Sequence, residues 1–325
     1  MQYRPFGKTE IKVSEIGHGT WAMGNMWGPT DDATSIEALL KGFELGINFV
    51  DTAWIYGNGR SEKIVASAKK RWRGHPVYVA TKIPPKNMRW PAAHSIPVSE
   101  TFPSGHIIEY TEKSLQNLKT DCIDLQQLHV WSHTWFHQGD WLEALQKLKQ
   151  EGKIRFIGIS INDHEPDTAL ELVASGLIDS IQVIYNIFDQ RPSEKLLPLC
   201  QEKGVAVIVR VPFDEGSLTG TLSPQMEFHK EDWRRRYFKE DRLAETCKRV
   251  ESLKFLIRSE IENLSQAALK FCLSHPTVST IIPGMRKAKH VEDNCKASDG
   301  KLLHKEELNK LKEHAWPRNF YSFHS

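Results

Sequence analysis

The chain has 325 residues, 40% hydrophobic and 26% charged, a composition that folds into a globule and argues against disorder. Its 43 basic residues nearly balance 41 acidic ones, a formal charge of +2, which excludes a broad polyelectrolyte surface for nucleic acid. No run approaches the roughly 18 apolar residues of a membrane span. The start, MQYRPFGKTEIKVSE, lacks the apolar stretch of a secretory signal. Five scattered cysteines without a CxxC pair point away from a disulfide framework or a zinc cluster. The expectation is a cytoplasmic protein that handles a small molecule, with no metal, nucleic-acid or membrane partner.

In chain order, residues 2–15 read as a hairpin turning at Gly7–Lys8. Short Val- and Ile-rich runs follow at 14–21, 47–53, 77–82, 123–130, 153–160, 180–186, 205–211 and 279–284. Continuous apolar runs of this kind suit parallel strands covered on both faces. Helical periodicity fills the gaps, at 33–46, 61–72, 106–119, 141–152, 165–176 and 193–204. In the first of these, Ile36, Leu39, Leu40 and Phe43 form one stripe that ends at Gly46. Ser61 is a candidate cap for the second. Eight alternations of strand and helix predict a (β/α)8 TIM barrel, α/β in class, as one domain over 1–325. A doubly wound open sheet is the alternative, because periodicity does not report closure.

Two insertions interrupt the rhythm. Residues 83–105, after the third barrel strand, carry five prolines and cannot be one helix. Residues 212–241, after the seventh, are rich in glycine and charge. Both are βα loops, the elements that build the active face of a barrel. The run Arg234–Arg236, among acidic neighbours, reads as a solvated loop.

Four polar residues sit where apolar strands end. Asp51 closes NFVD, Tyr56 follows in the next loop, Lys82 closes VYVATK and His129 closes LQQLH. They project toward one mouth from three consecutive strands. The set suits proton transfer to a carbonyl: a free Tyr has a pKa of about 10, a neighbouring Lys stabilises its phenolate, and an Asp holds that Lys charged. A His can orient the substrate oxygen. No side chain supplies hydride, so a nicotinamide cofactor is needed. His129, His133 and His137 are four apart, but they leave a strand for a loop, and no metal site is expected. Trp21, Trp54, Trp90 and Trp131 fall at or after strand ends and are candidate walls of a substrate pocket.

GTWAMG, FVDTAWIYGNGRSE, ATK, LQQLHVW, EGKIRFIGIS, QVIYN and IIPGMRKAKHVEDN, in this order and at these strand positions, resemble the aldo-keto reductase superfamily. The resemblance implies a (β/α)8 barrel that binds NADPH/NADP+ without a Rossmann domain, with Asp51, Tyr56, Lys82 and His129 as catalytic tetrad. It implies backbone contacts from Thr20 and Trp21, and carboxamide contacts from Ser160, Gln182 and, where relatives carry Asn one position earlier, Asn162. Gly216, Ser217 and Leu218 would wrap the pyrophosphate. The stretch from Gly284 to Asn294 would hold the adenosine half, with Arg286 or His290 near the 2′-phosphate and Asp293 and Asn294 at adenine. Arg210 stands where many relatives stack an aromatic ring on nicotinamide. It reads either as a stacking guanidinium or as a structural partner of Asp214 or Glu215. The activity implied is reduction of an aldehyde, ketone or keto-sugar, with a cofactor-binding regulatory or sensor subunit as the alternative.

Overall fold

The structure, a computed structural model, describes residues 1–25, 28, 30–230 and 232–321. Strands β1 (Tyr3–Pro5) and β2 (Lys12–Ser14) form an antiparallel hairpin. Eight parallel strands follow: β3 (His18–Gly19), β4 (Phe49–Asp51), β5 (Tyr78–Ile83), β6 (Ile123–Leu128), β7 (Ile154–Ser160), β8 (Ser180–Ile184), β9 (Ala206–Arg210) and β10 (Val278–Ile281). Each pairs with its sequence neighbour. Closure comes from parallel bridges Ile16↔Ile281 and Gly19↔Gly284, with Gly17 N–H donating to the Ile281 carbonyl at 2.7 Å. The sheet is therefore a closed barrel and not a doubly wound sheet, because its first and last strands hydrogen-bond each other.

Helices form where the periodicity predicts them, within a few residues. Asp32–Glu44 buries Ile36, Leu39 and Phe43, starts at the carboxylate of Asp31, which accepts from Thr34 N–H at 2.7 Å, and ends before Gly46 at φ 92°. Ser61 is not a cap: helix Arg60–Arg71 begins one residue earlier, after Gly59 at φ 88°, and the Ser61 hydroxyl is drawn into a buried network. Among the described residues no helix is long and apolar enough to cross a membrane.

The hairpin seals the N-terminal end of the barrel. Phe6, Ile11 and Val13 pack on Phe49, Ala80, Leu125, Phe156, Ala206, Ile208 and Ile282, all on barrel strands or directly after one, in a cluster of their own. The Phe6 ring lies 5.7 Å from Phe49 and 6.3 Å from Phe156. Gly7 makes the turn possible: its φ is +58°, and a Cβ there would stand 2.4 Å from the Gly204 carbonyl oxygen. Arg4 pins the outer strand, bonding Glu15 at 2.7 Å and the carbonyls of Leu273, His275 and Val278.

Phe6→Ala would leave a void under five strands. Such truncations cost about 3–5 kcal/mol, so the urea midpoint should fall sharply. An unchanged midpoint would show that the hairpin does not seal the barrel.

Candidate active site

At the opposite end, strand register gathers the polar residues. Asp51 ends β4, Lys82 lies one residue from the end of β5 and faces Gln127 of β6, and His129 directly follows β6. Tyr56 sits in the turn after β4. That turn is set by close packing: a Cβ on Gly24 would lie 2.6 Å from the Tyr56 carbonyl carbon. Hydroxyls tie the neighbouring loops together, with Thr52 donating to Ser61 at 2.9 Å, Ser61 to Thr20 at 2.7 Å, and Thr20 to the Asp51 carbonyl at 2.9 Å.

Lys82 is fully buried, yet its ammonium finds three acceptors. It donates to Asp51 Oδ2 at 2.5 Å, the Thr52 carbonyl at 2.9 Å and the Tyr56 hydroxyl at 3.4 Å. The other Asp51 oxygen accepts from Gln182 at 2.8 Å and Gln127 at 3.4 Å. Burial pushes the Tyr56 phenol above its ordinary value; Lys82 opposes this, Asp51 adds to it, and Arg210 opposes it more weakly. The sequence argument from Lys82 alone had the opposite sign, because it omitted desolvation. Burial, then Lys82 and Arg210, hold His129 well below the usual imidazole range, so it is neutral at pH 7. Its ring lies 5.8 Å from Tyr56 and 5.9 Å from Trp90. A loaded phenol and a neutral imidazole thus share one mouth, with the ammonium beside the phenol.

The remaining predicted residues divide. Thr20 is buried in the hydroxyl network, Trp21 packs on Trp233 at 5.6 Å, and Ser160 ends β7. Gly216 has φ 98° and opens the turn Ser217–Thr219, which contains Leu218. Gly284 is exposed, with nothing within 4 Å of an added Cβ; Arg286 is half-buried, His290 exposed, and Asn294 buried on helix Ala288–Cys295. On that helix Asp293 accepts from Lys289 at 2.9 Å. Trp90 is exposed and stands beside His129. Trp54 turns its ring toward Tyr110 on the outer helix, 4.7 Å away.

Three expectations need correction. Trp131 lines no cleft: it is fully buried, packs 5.1 Å from Trp141, and donates from its indole to the Thr168 carbonyl at 3.2 Å. Asn162 accepts from Ala92 N–H at 3.0 Å and donates to the Ala92 carbonyl at 3.1 Å and to Glu165 at 2.8 Å, and so clasps the loop after β5. Arg210 pairs with neither Asp214 nor Glu215; it donates to Asp163 at 2.6 Å and to the Ile161 carbonyl at 3.0 Å. Gln127 and Asp163 were missed. Gln127 was findable, since it lies two residues before His129 and strand residues two apart share a face.

The strap, residues 212–241, meets the tail Trp316–Tyr321. Asp214 and Glu215 adopt φ 48° and 57° and point inward. Asp214 accepts from Arg318, Ser217 and Tyr237, and Glu215 accepts from the Tyr321 hydroxyl. Tyr321 stacks on Trp233 at 5.5 Å and 17°. Burial raises Glu215 to about 8, with Tyr321 opposing and Asp214 adding to the rise. A raised carboxyl is stabilising while protonated, and that contribution is lost as pH climbs from the unfolded value near 4.5 through about 8. Stability should therefore slope downward between pH 5 and 8, by up to about 1.4 kcal/mol per pH unit from this group. Glu215→Gln should flatten the slope in urea titrations across that range; an identical slope would show that Glu215 is ionised in the fold.

Comparison with known proteins agrees with this geometry. A sequence model described as the Aldo/keto reductase family matches residues 15–315. The chain is 33% identical to an uncharacterized oxidoreductase, YqkF, of Bacillus subtilis, covering 100% of this chain and 99% of that one. It is 30% identical to an NADH-specific methylglyoxal reductase of Escherichia coli, covering 91% and 93%. The holo form of the aldo-keto reductase AKR11C1 from Bacillus halodurans superposes with a TM-score of 0.76 at 29% identity, over 99% of both chains. With this fold, this mouth and a family match along almost its whole length, the chain belongs to the aldo/keto reductase family.

Proposed function

We propose that the protein is an NADPH-dependent reductase of aldehydes, ketones or keto-sugars. The observation that carries this reading is the buried Lys82 ammonium, bonded to both Asp51 and the Tyr56 hydroxyl with neutral His129 alongside. The residues fit a nicotinamide dinucleotide. Gly284 leaves open space at the rim, and Ser160 and Gln182, paired in register on β7 and β8, are buried polar partners for a carboxamide. Bound there, the cofactor supplies hydride to the carbonyl carbon.

The chain's own residues do the rest. Tyr56, protonated at neutral pH, donates a hydrogen bond to the carbonyl oxygen and then its proton as charge develops. Lys82 stabilises the phenolate left behind, and Asp51 keeps Lys82 oriented. His129, uncharged, orients the same oxygen without competing for the proton. Trp90 and Trp21 offer apolar faces beside the reacting carbon. In the Tyr56→Phe variant kcat should fall about 10²–10⁴-fold while the cofactor dissociation constant barely moves. Undiminished turnover would remove Tyr56 from the mechanism. Binding without turnover by the wild type, across a carbonyl panel, would return the reading to a cofactor-sensing subunit.

Preference for NADPH rests on cations after β10. One relative is NADH-specific by name, so this chain's own residues must decide. His290, exposed yet shielded on one side, is held below its ordinary value, first by that desolvation and then by Arg286 and Lys287. Lys289 is engaged by Asp293. Arg286, half-buried and able to present two N–H groups to one phosphate, is the assigned 2′-phosphate contact. Arg286→Ala should weaken NADPH about tenfold or more, the 1.5–3 kcal/mol of a charge-assisted bond. NADH should hardly change. Equal weakening of both, measured by fluorescence titration, would move the 2′-phosphate elsewhere.

A further inference from the structure

The arginine run of the strap is not uniform. Arg235 and Arg236 are exposed, whereas the Arg234 side chain is folded inward and 17% exposed. Its guanidinium grips Asp232, with Nε 3.0 and 3.1 Å from the two carboxylate oxygens and Nη2 2.7 Å from Oδ2. The Arg234 backbone N–H adds a further bond to Oδ1 at 3.0 Å. Arg234 also overhangs the Gly216 turn: a Cβ built on Gly216 would lie 3.4 Å from its Nη1. Trp233, between the two residues, packs on Trp21 and Tyr321, so this part of the strap is folded down onto the mouth. A buried carboxylate is thus held in a guanidinium fork of the strap, beside the turn assigned to the pyrophosphate.

A plain surface ion pair would not need this burial. We propose that Asp232 is a built-in surrogate for phosphate: its carboxylate fills an anion seat made by Arg234 beside the Gly216 turn, and a phosphate of the dinucleotide replaces it there. This rests on the nucleotide-binding reading above. Carboxylate and phosphate both present paired oxygens to a guanidinium fork, so one can follow the other without rebuilding the seat. The exchange spares the inward-folded Arg234 from being left unpaired, a costly state away from water. It also means that phosphate must outcompete a resident anion, which lowers affinity below what the bare seat would give.

The test is titration of the full chain with NADPH and with NADH, followed by tryptophan quenching, with no carbonyl present. Asp232→Asn keeps the side chain's size and removes the competing charge; binding should tighten about threefold to tenfold, in line with a charge-assisted contact. Arg234→Met should weaken binding about tenfold or more and reduce its sensitivity to salt. Tightening of both cofactors in Asp232→Asn puts the pyrophosphate in the seat, and tightening of NADPH alone puts the 2′-phosphate there. Unchanged or weaker binding in a folded Asp232→Asn protein overturns the proposal, since the carboxylate would then merely orient Arg234. Full affinity in Arg234→Met overturns it independently, even if the Asn variant does not fold. A wild type that quenches with neither cofactor would sink the dinucleotide reading itself, a result distinct from either variant's.

Discussion

The buried pair of Lys82 and Asp51 is the constraint around which the barrel mouth is arranged. An ammonium with no exposed surface costs several kcal/mol unless its protons are taken up, and Lys82 places them on Asp51, the Thr52 carbonyl and the Tyr56 hydroxyl. Its partner carries an equal demand: a carboxylate can accept about four hydrogen bonds, and Asp51 draws on Gln182 and Gln127 besides Lys82. Those donors come from β8 and β6, which flank β7. Only a closed sheet brings β4, β5, β6 and β8 to one axis, so closure is a condition of keeping the charge inside. The phenol inherits its surroundings from this arrangement. Tyr56 is pulled down by Lys82 and pushed up by burial and Asp51, and the balance keeps its proton in place.

Much of this was legible in the sequence, and the physics says why. Strand ends facing the mouth are identified by where an apolar run stops, so Asp51, Lys82 and His129 could be named before any coordinates. The hairpin could be named from its turn. What failed was partner choice over long sequence distance. Arg210 has acidic neighbours at 214 and 215, yet bonds Asp163 in the loop after β7, two strands away, while Asp214 and Glu215 turn to the tail. Trp131 and Trp90 both follow strand ends, and no one-dimensional signal separates them. One lies between Trp135 and Trp141 in the helical layer; the other stands in the cleft. Ser61 has the composition of a cap but serves a hydroxyl chain between Thr20 and Thr52, which only the packing of β4 against the first loop creates.

The strap and tail extend the same logic to the rim, with one difference. Their apolar residues, Tyr237, Phe238, Leu222, Met226, Phe228, Trp233, Phe320 and Tyr321, form with Leu243 and Cys247 of the helix Arg242–Glu251 a cluster separate from the barrel core. A cluster that shares little with the main core can open by itself, at a free energy below that of global unfolding. The tail is bonded to the foot of the strap, Arg318 to Asp214 and Tyr321 to Glu215 just past the end of β9, and Trp233 packs on Trp21 of the mouth. Adjacent buried carboxylates repel, and the tail resolves the conflict by giving one a guanidinium and the other only a phenol, against which Glu215 keeps its proton to about pH 8. The turn Ser217–Thr219 begins two residues later, so the last residues of the chain help to hold the segment assigned to the cofactor's phosphates. A mouth built this way combines a rigid floor, fixed by a buried ion pair, with a cover that can part without disturbing it. On the proposed reading, proton transfer would use the first and exchange of a large dinucleotide the second.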